Sequence, residues 1–250
     1  MNRLQRLLID NRGKGLFRVD NKAADEATIY LYGAIVSDNY WGDAIAAIDF
    51  VKALAAIDAK TVHLRIDSPG GEVFAGQSMA QAIREHSSNI IAHIDGLAAS
   101  AASWVALAAD EVVISPGGMV MIHQAQGIAI GNSGDLRETA DLLDKIDAVL
   151  VAGYAKETAQ SESQITDWMS AETWFSADEA VKHGFADRVA AGAASNRVTS
   201  AWNLTAYDHA PAIAPPTVTE PPAAAAPPAP TFDNTEHLRR RLRVTEAASA

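Results

Sequence analysis

The sequence predicts an α/β fold, a largely parallel sheet packed with helices, followed by a tail that does not pack. Three observations carry this. Short β-branched runs alternate with stretches of helical spacing, glycine and serine gather where those runs end, and eight of the ten prolines fall between Pro211 and Pro230. In chain order, Thr28 to Leu31, Val62-Leu64-Ile66 and Ile90 to Ile94 read as strands bounded by Gly, Asp and Ser. Between them, Ile45, Ile48, Val51 and Leu54 recur at helical spacing, as do Ala75, Met79, Ala82 and Ile83. The resulting βαβα order favours parallel strands. Further on, Leu136, Leu143, Ile146 and Leu150 mark a long amphipathic helix. Ser176-Ala177-Asp178-Glu179 is a capping box opening a helix that Gly184 can close.

Composition narrows the classes of function. The 250 residues are 48 % hydrophobic and 20 % charged, enough apolar content for a large core. Without cysteine there is no disulfide framework, thiol nucleophile or Cys-bound zinc. The net charge of -11 argues against nucleic-acid binding through the overall field. No apolar run reaches the ~18 residues of a membrane span, and the apolar run Leu7-Leu8-Ile9 is too short for a signal peptide. A soluble, cytoplasmic chain is expected. Alanine-interleaved proline favours extended polyproline II over packing. Residues 1 to 198 are therefore expected to form the domain, and 199 to 250 a disordered Pro/Ala-rich linker with the short basic segment His237 to Arg243. A cut after Ala201 should leave the core intact.

Three segments could carry chemistry. Asp67-Ser68-Pro69-Gly70-Gly71 joins a strand to a helix, and its paired glycines can leave backbone N–H groups open to an anion, although such a segment also serves as a plain turn. Gly96-Leu97-Ala98-Ala99-Ser100 puts Ser100 at a helix start, where free N–H groups favour developing negative charge; the bland alternative is an N-cap serine. Ser103, inside the helix, is a poorer nucleophile. Met121-Ile122-His123-Gln124 is a short apolar strand bearing His123, which alone could be a satisfied core histidine. Together the three would supply nucleophile, general base and oxyanion donors.

These motifs, with Ser176 to Asp187, resemble those of the Clp protease proteolytic subunit in order and nearly in spacing, over about residues 26 to 190. The resemblance implies a crotonase/ClpP-like spiral α/β fold, a serine endopeptidase and no cofactor or metal. It implies Ser100 as nucleophile, His123 as base and the backbone N–H groups of Gly70 and Ala101 as oxyanion hole, with Gly71 permitting close approach. The position of the third triad member falls on Glu172 rather than an aspartate, with Asp167 in reserve; glutamate can orient an imidazole as aspartate does. The resemblance also implies a homo-oligomeric ring in which the helix around Leu136 to Leu150 packs between subunits.

A protease domain with a Pro/Ala-rich extension looks more like the Clp-related head maturation proteases of tailed phages. On that reading the substrates are scaffold and capsid proteins inside the procapsid, and the tail tethers the enzyme there. The competing readings are a bacterial Clp-type subunit fed by an unfoldase and a non-catalytic scaffold or assembly protein.

Overall fold

The computed structural model describes residues 3–23, 25–39, 44–191 and 202–211. A helix, α1 (Arg3–Asp10), leads into an antiparallel hairpin, β1 (Leu16–Ala23) and β2 (Glu26–Tyr32). The short parallel pair β3 (Ile35–Val36) and β4 (Ile45–Ala46) precedes α2 (Ala47–Ala55). Then come β5 (Thr61–Ser68), α3 (Val73–Glu85), β6 (Asn89–Ala99) and α4 (Ala101–Ala106). After β7 (Glu111–Ile114) and β8 (Met119–Ile122), the long α5 (Ser133–Thr158) leads to α6 (Glu162–Ser170). The series ends with β9 (Thr173–Ser176), α7 (Ala177–Lys182) and β10 (Arg188–Val189).

The main sheet runs β1-β2-β5-β6-β7-β10, parallel from β2 onward. Strand β6 forks. Its first half pairs with β7 through Ile91 to Ile94, and its second half pairs with β8 through Leu97 to Ala99. One face is apolar: Ile29, Leu31, Leu64, Ile66, Ile90 and Ile94 are fully buried with Phe50 of α2 and Met79 of α3. The opposite face is not the apolar surface that a sheet with helices on both sides requires. It carries Tyr32, His63, Arg65, His93 and Asp95, half-buried and satisfied among themselves. Tyr32 and Arg65 donate to Asp95, and the His63 and His93 rings meet at 3.0 Å.

The expected helices form, with longer limits where caps dictate. Asn132 caps α5 by accepting from Gly134 and Asp135, and the Asp135 carboxylate accepts in return from the Asn132 N–H at 2.8 Å. Ser176 and Glu179 form the predicted capping box of α7. Gly184 follows that helix at φ +81°, against Thr158 O, where a Cβ would lie 2.6 Å away.

The expected boundary at residue 198 falls short of the packed structure. Trp202, Leu204, Ala206 and Tyr207 are buried in a second apolar cluster with Leu7 of α1, Leu97, Ala99 and Met121. Asn11 ties this strap to the end of α1, donating to Asn203 O and accepting from Asn203 N–H at 2.9 and 2.6 Å. A cut after Ala201 would therefore remove core residues. Three large apolar side chains just before the first tail proline were the signal outweighed by composition. Pro215 to Pro230 and the basic segment His237 to Arg243 lie outside the described residues.

Candidate active site

Strand β6 delivers Ser100 to the fork of the sheet. Its N–H donates to Met121 O of β8 at 2.8 Å, which fixes the end of β6 against β8. The residue takes φ 52° and ψ -124° immediately before α4, a conformation that L residues rarely adopt. Its side chain makes no cap bond to α4. Instead Ser100 Oγ lies 2.8 Å from His123 Nε2, so the plain N-cap reading does not describe it. Ser103 is turned away, bonding Ser100 O and the Tyr154 hydroxyl.

His123 follows the last residue of β8. The antiparallel register of β8 with β9, Ile122 opposite Thr173, carries His123 level with Glu172 one step on. Burial and the positive charge of Arg3 push the imidazole down to about 4, against smaller opposing effects of the Glu172 charge and a Gln124 backbone hydrogen bond. The ring is neutral at pH 7 and able to accept the serine proton.

Glu172 is brought close but not joined to the histidine. Only 7 % exposed and at φ 49°, it accepts from Arg3 Nη1 at 2.8 Å, from the His209 N–H at 2.7 Å and from the Asp208 N–H at 3.2 Å. The expected hydrogen bond to His123 is thus replaced by charge-assisted bonds to a guanidinium and two amides, and a longer one from Trp174 Nε1 at 3.5 Å fills the remaining acceptor site of the carboxylate. Asp167 does not substitute for it: its side chain is exposed on α6, away from the residues that line the cleft.

The glycine turn also differs from expectation. Gly70 N–H donates to Ser68 Oγ at 3.1 Å, and Ser68 in turn donates to Gly33 O at 2.6 Å, so this N–H is committed inward. Gly70 serves by contact, since a Cβ there would lie 2.8 Å from Ser100 Cβ and 2.5 Å from Ala99 O. Gly71 lines the cleft beside Ala101. The bonds of Ile35 to this turn use Gly70 O and the Glu72 N–H, leaving the Gly71 N–H out of them. A Cβ on Gly71 would sit 1.9 Å from Ile35 O, so only glycine fits.

The cleft, about 440 Å³, has an apolar wall from Val73, Phe74, Leu143, Ile146 and Leu150, with Ser100 and His123 at its base. Residues before and after the predicted motifs also line it. Arg3 and Tyr207 stand at one end, the Tyr207 ring edge-on to His123 at 5.6 Å and its hydroxyl donating to Pro69 O at 2.5 Å. Neither carries a motif. Among the described residues no cluster of three or more His, Asp or Glu side chains could hold a metal ion.

A forked, mostly parallel sheet presenting a serine–histidine pair at a helix start, beside an apolar cleft, defines an α/β protein of the serine-hydrolase kind in its geometry. The chain belongs to the Clp protease family, whose pattern it matches over residues 11–193. It is similar in structure to a point mutant of ClpP1 from Listeria monocytogenes, with 25 % sequence identity and a TM-score of 0.57. That match covers 66 % of this chain and 91 % of the other. The fold is thus the ClpP fold that the motifs implied. No helix among the described residues is long and apolar enough to cross a membrane.

Proposed function

We propose that the chain is a serine endopeptidase in which Ser100 is the nucleophile and His123 the general base. The observation that carries this is the 2.8 Å contact between Ser100 Oγ and Nε2 of a neutral, half-buried His123. Ser100 Oγ attacks the scissile carbonyl carbon while Nε2 takes the hydroxyl proton. The imidazolium then protonates the departing amine, leaving an acyl-serine that water hydrolyses by the same route in reverse. Negative charge on the carbonyl oxygen meets the Ala101 N–H at the start of α4 and the Gly71 N–H. Gly71 takes the place expected of Gly70, whose N–H is occupied. Labelling with a fluorophosphonate tests the assignment: modification confined to Ser100 and abolished by Ser100→Ala is expected, and absence of labelling refutes it.

The finer reading is a phage head maturation protease, a homo-oligomer that cleaves scaffold or capsid proteins within the procapsid in the host cytoplasm. It is supported by the Pro/Ala-rich sequence beyond the family match and by the apolar residues that α5 leaves exposed, Leu136, Leu142 and Val149. Leu142 and Val149, seven residues apart, share one side of this helix, and an exposed apolar side calls for a protein cover. Packaging of the full chain, but not of a form ending at residue 211, into procapsids is the expected result; equal packaging removes the tether role.

A further inference from the structure

Two segments outside the family match, α1 before residue 11 and the strap 202–211 after residue 193, meet over the candidate site. They bind each other through Arg6 Nη2 to Thr205 O, and Asn11, just past α1, bridges them by donating to both Leu7 O and Asn203 O. Both segments also bind Glu172. From α1 comes the Arg3 guanidinium; from the strap come the Asp208 and His209 N–H groups. Arg3 also pairs with Asp208 and lies 5.6 Å over the Tyr207 ring, so the two segments share one clasp. Trp202 anchors the other end of the strap, its Nε1 donating to the buried Asp67 carboxylate at 3.0 Å.

We propose that α1 and the strap form an inhibitory latch that holds Glu172 off His123, and that undocking it frees this carboxylate to accept from His123 Nδ1 and complete a triad. The proposal rests on the serine-peptidase reading above. The β8–β9 register already sets residue 172 level with 123, so only the side chain has to change partner. The latched state is disfavoured for catalysis in three ways. The carboxylate that would stabilise the imidazolium is saturated by other donors. Arg3 adds positive charge where positive charge must develop. The Tyr207 hydroxyl bonds the oxyanion turn at Pro69 O, and its ring, edge-on to His123 at 5.6 Å, lines the cleft with Ser100. The charged and titratable groups facing His123 are thus Arg3, Glu172, Asp208 and Tyr207.

The latch is tested in the full-length chain with Arg3→Gln, which opens the clasp, and with Arg3→Gln/Asn11→Ala, which also cuts the tie to Asn203 while Trp202 and Tyr207 still cover Leu7 and Leu97. NMR of the His123 ring reads the carboxylate directly. Both released forms should show a low-field Nδ1 proton resonance and a raised His123 titration midpoint, and both signatures should vanish when Glu172→Gln is added. Peptidase kcat should rise in the released forms by between about 10-fold and 10⁴-fold, the ceiling being the whole worth of a triad carboxylate. That gain should also be lost with Glu172→Gln. A Glu172-dependent resonance already present in the wild-type chain, or absent from both released forms, overturns the latch. If the resonance appears but Ser100 labels in no form, the latch stands and the peptidase reading fails.

Discussion

Replacing Ser100 by glycine should yield a more stable protein than replacing it by alanine, the reverse of the usual order. The backbone at this position sits at φ 52°, ψ -124°, held there by the Ser100 N–H bond to Met121 O and by close packing of Gly70 against Ser100 Cβ. A side chain in such a region costs about 1–3 kcal/mol. Glycine relieves that cost but gives the unfolded chain more freedom, worth roughly 0.5–1 kcal/mol. Both variants lose the hydroxyl contact with His123, so that contribution cancels. The balance favours Ser100→Gly by roughly 1 kcal/mol, or about 2–4 °C in Tm for a domain of this size. Thermal unfolding of the two variants side by side at pH 7 measures it. Equal stability, or a more stable Ser100→Ala, would show that the loop carries no strain and would remove the structural reason for placing the nucleophile there.

Five further outcomes follow from the geometry. With His123 pushed down to about 4, the acid limb of kcat/KM should lie near pH 4, and a limb near the ordinary histidine value of about 6.5 would contradict the neutral, desolvated base. The same group contributes stability that is complete above its unfolded value and is lost as pH falls through about 4, because the unfolded ring binds a proton that the folded ring excludes; urea midpoints across that range, compared with His123→Gln, check the sign. Gly71→Ala should disrupt the turn at Ile35 O and lower the denaturation midpoint as well as activity, because its Cβ has nowhere to go. Chains ended after residue 211 should keep the Tm of the full chain, whereas chains ended after residue 201 should lose Tm and aggregate as Leu7, Leu97 and Met121 are uncovered; light scattering distinguishes the two. Leu142→Glu with Val149→Glu should dissociate a homo-oligomer through the exposed face of α5, and an unchanged assembly by sedimentation would place the interface elsewhere.

Strand runs, helical spacing and both ends of the Ser100–His123 contact were legible because each depends on local pattern: alternation in β2 and β5, small residues around the β6–α4 junction, an apolar strand leading into His123. What was not legible depends on partners far apart in sequence. Tyr207 and Arg3 meet across 204 positions (207 - 3), and nothing in either neighbourhood announces the other. The clustered prolines spoke for the stretch that contains them, but their signal was spread backward over Trp202 to Tyr207, where local side chains favour burial. The Gly70-Gly71 pair announces a turn in the sequence, yet which N–H stays open is decided by Ser68, whose hydroxyl accepts from Gly70.

Glu172 shows where backbone and side chain part company. Its position is set by strand pairing, since Ile122 opposite Thr173 leaves no other residue level with His123. Its bonding is decided by competition among donors. A neutral imidazole offers one N–H, whereas Arg3 offers a charged N–H and the strap offers two amides already aligned by the packing of Tyr207. Bonds to an ionised carboxylate are all charge-assisted, but the guanidinium adds a full positive charge and the two amides add further donors, so together they hold the carboxylate against the single N–H of a neutral histidine. Once a proton moves from Ser100 to His123, the imidazole becomes a charged donor and the comparison changes. A carboxylate freed from Arg3 at that moment gains most from turning, which places the effect of the latch on turnover rather than on substrate binding.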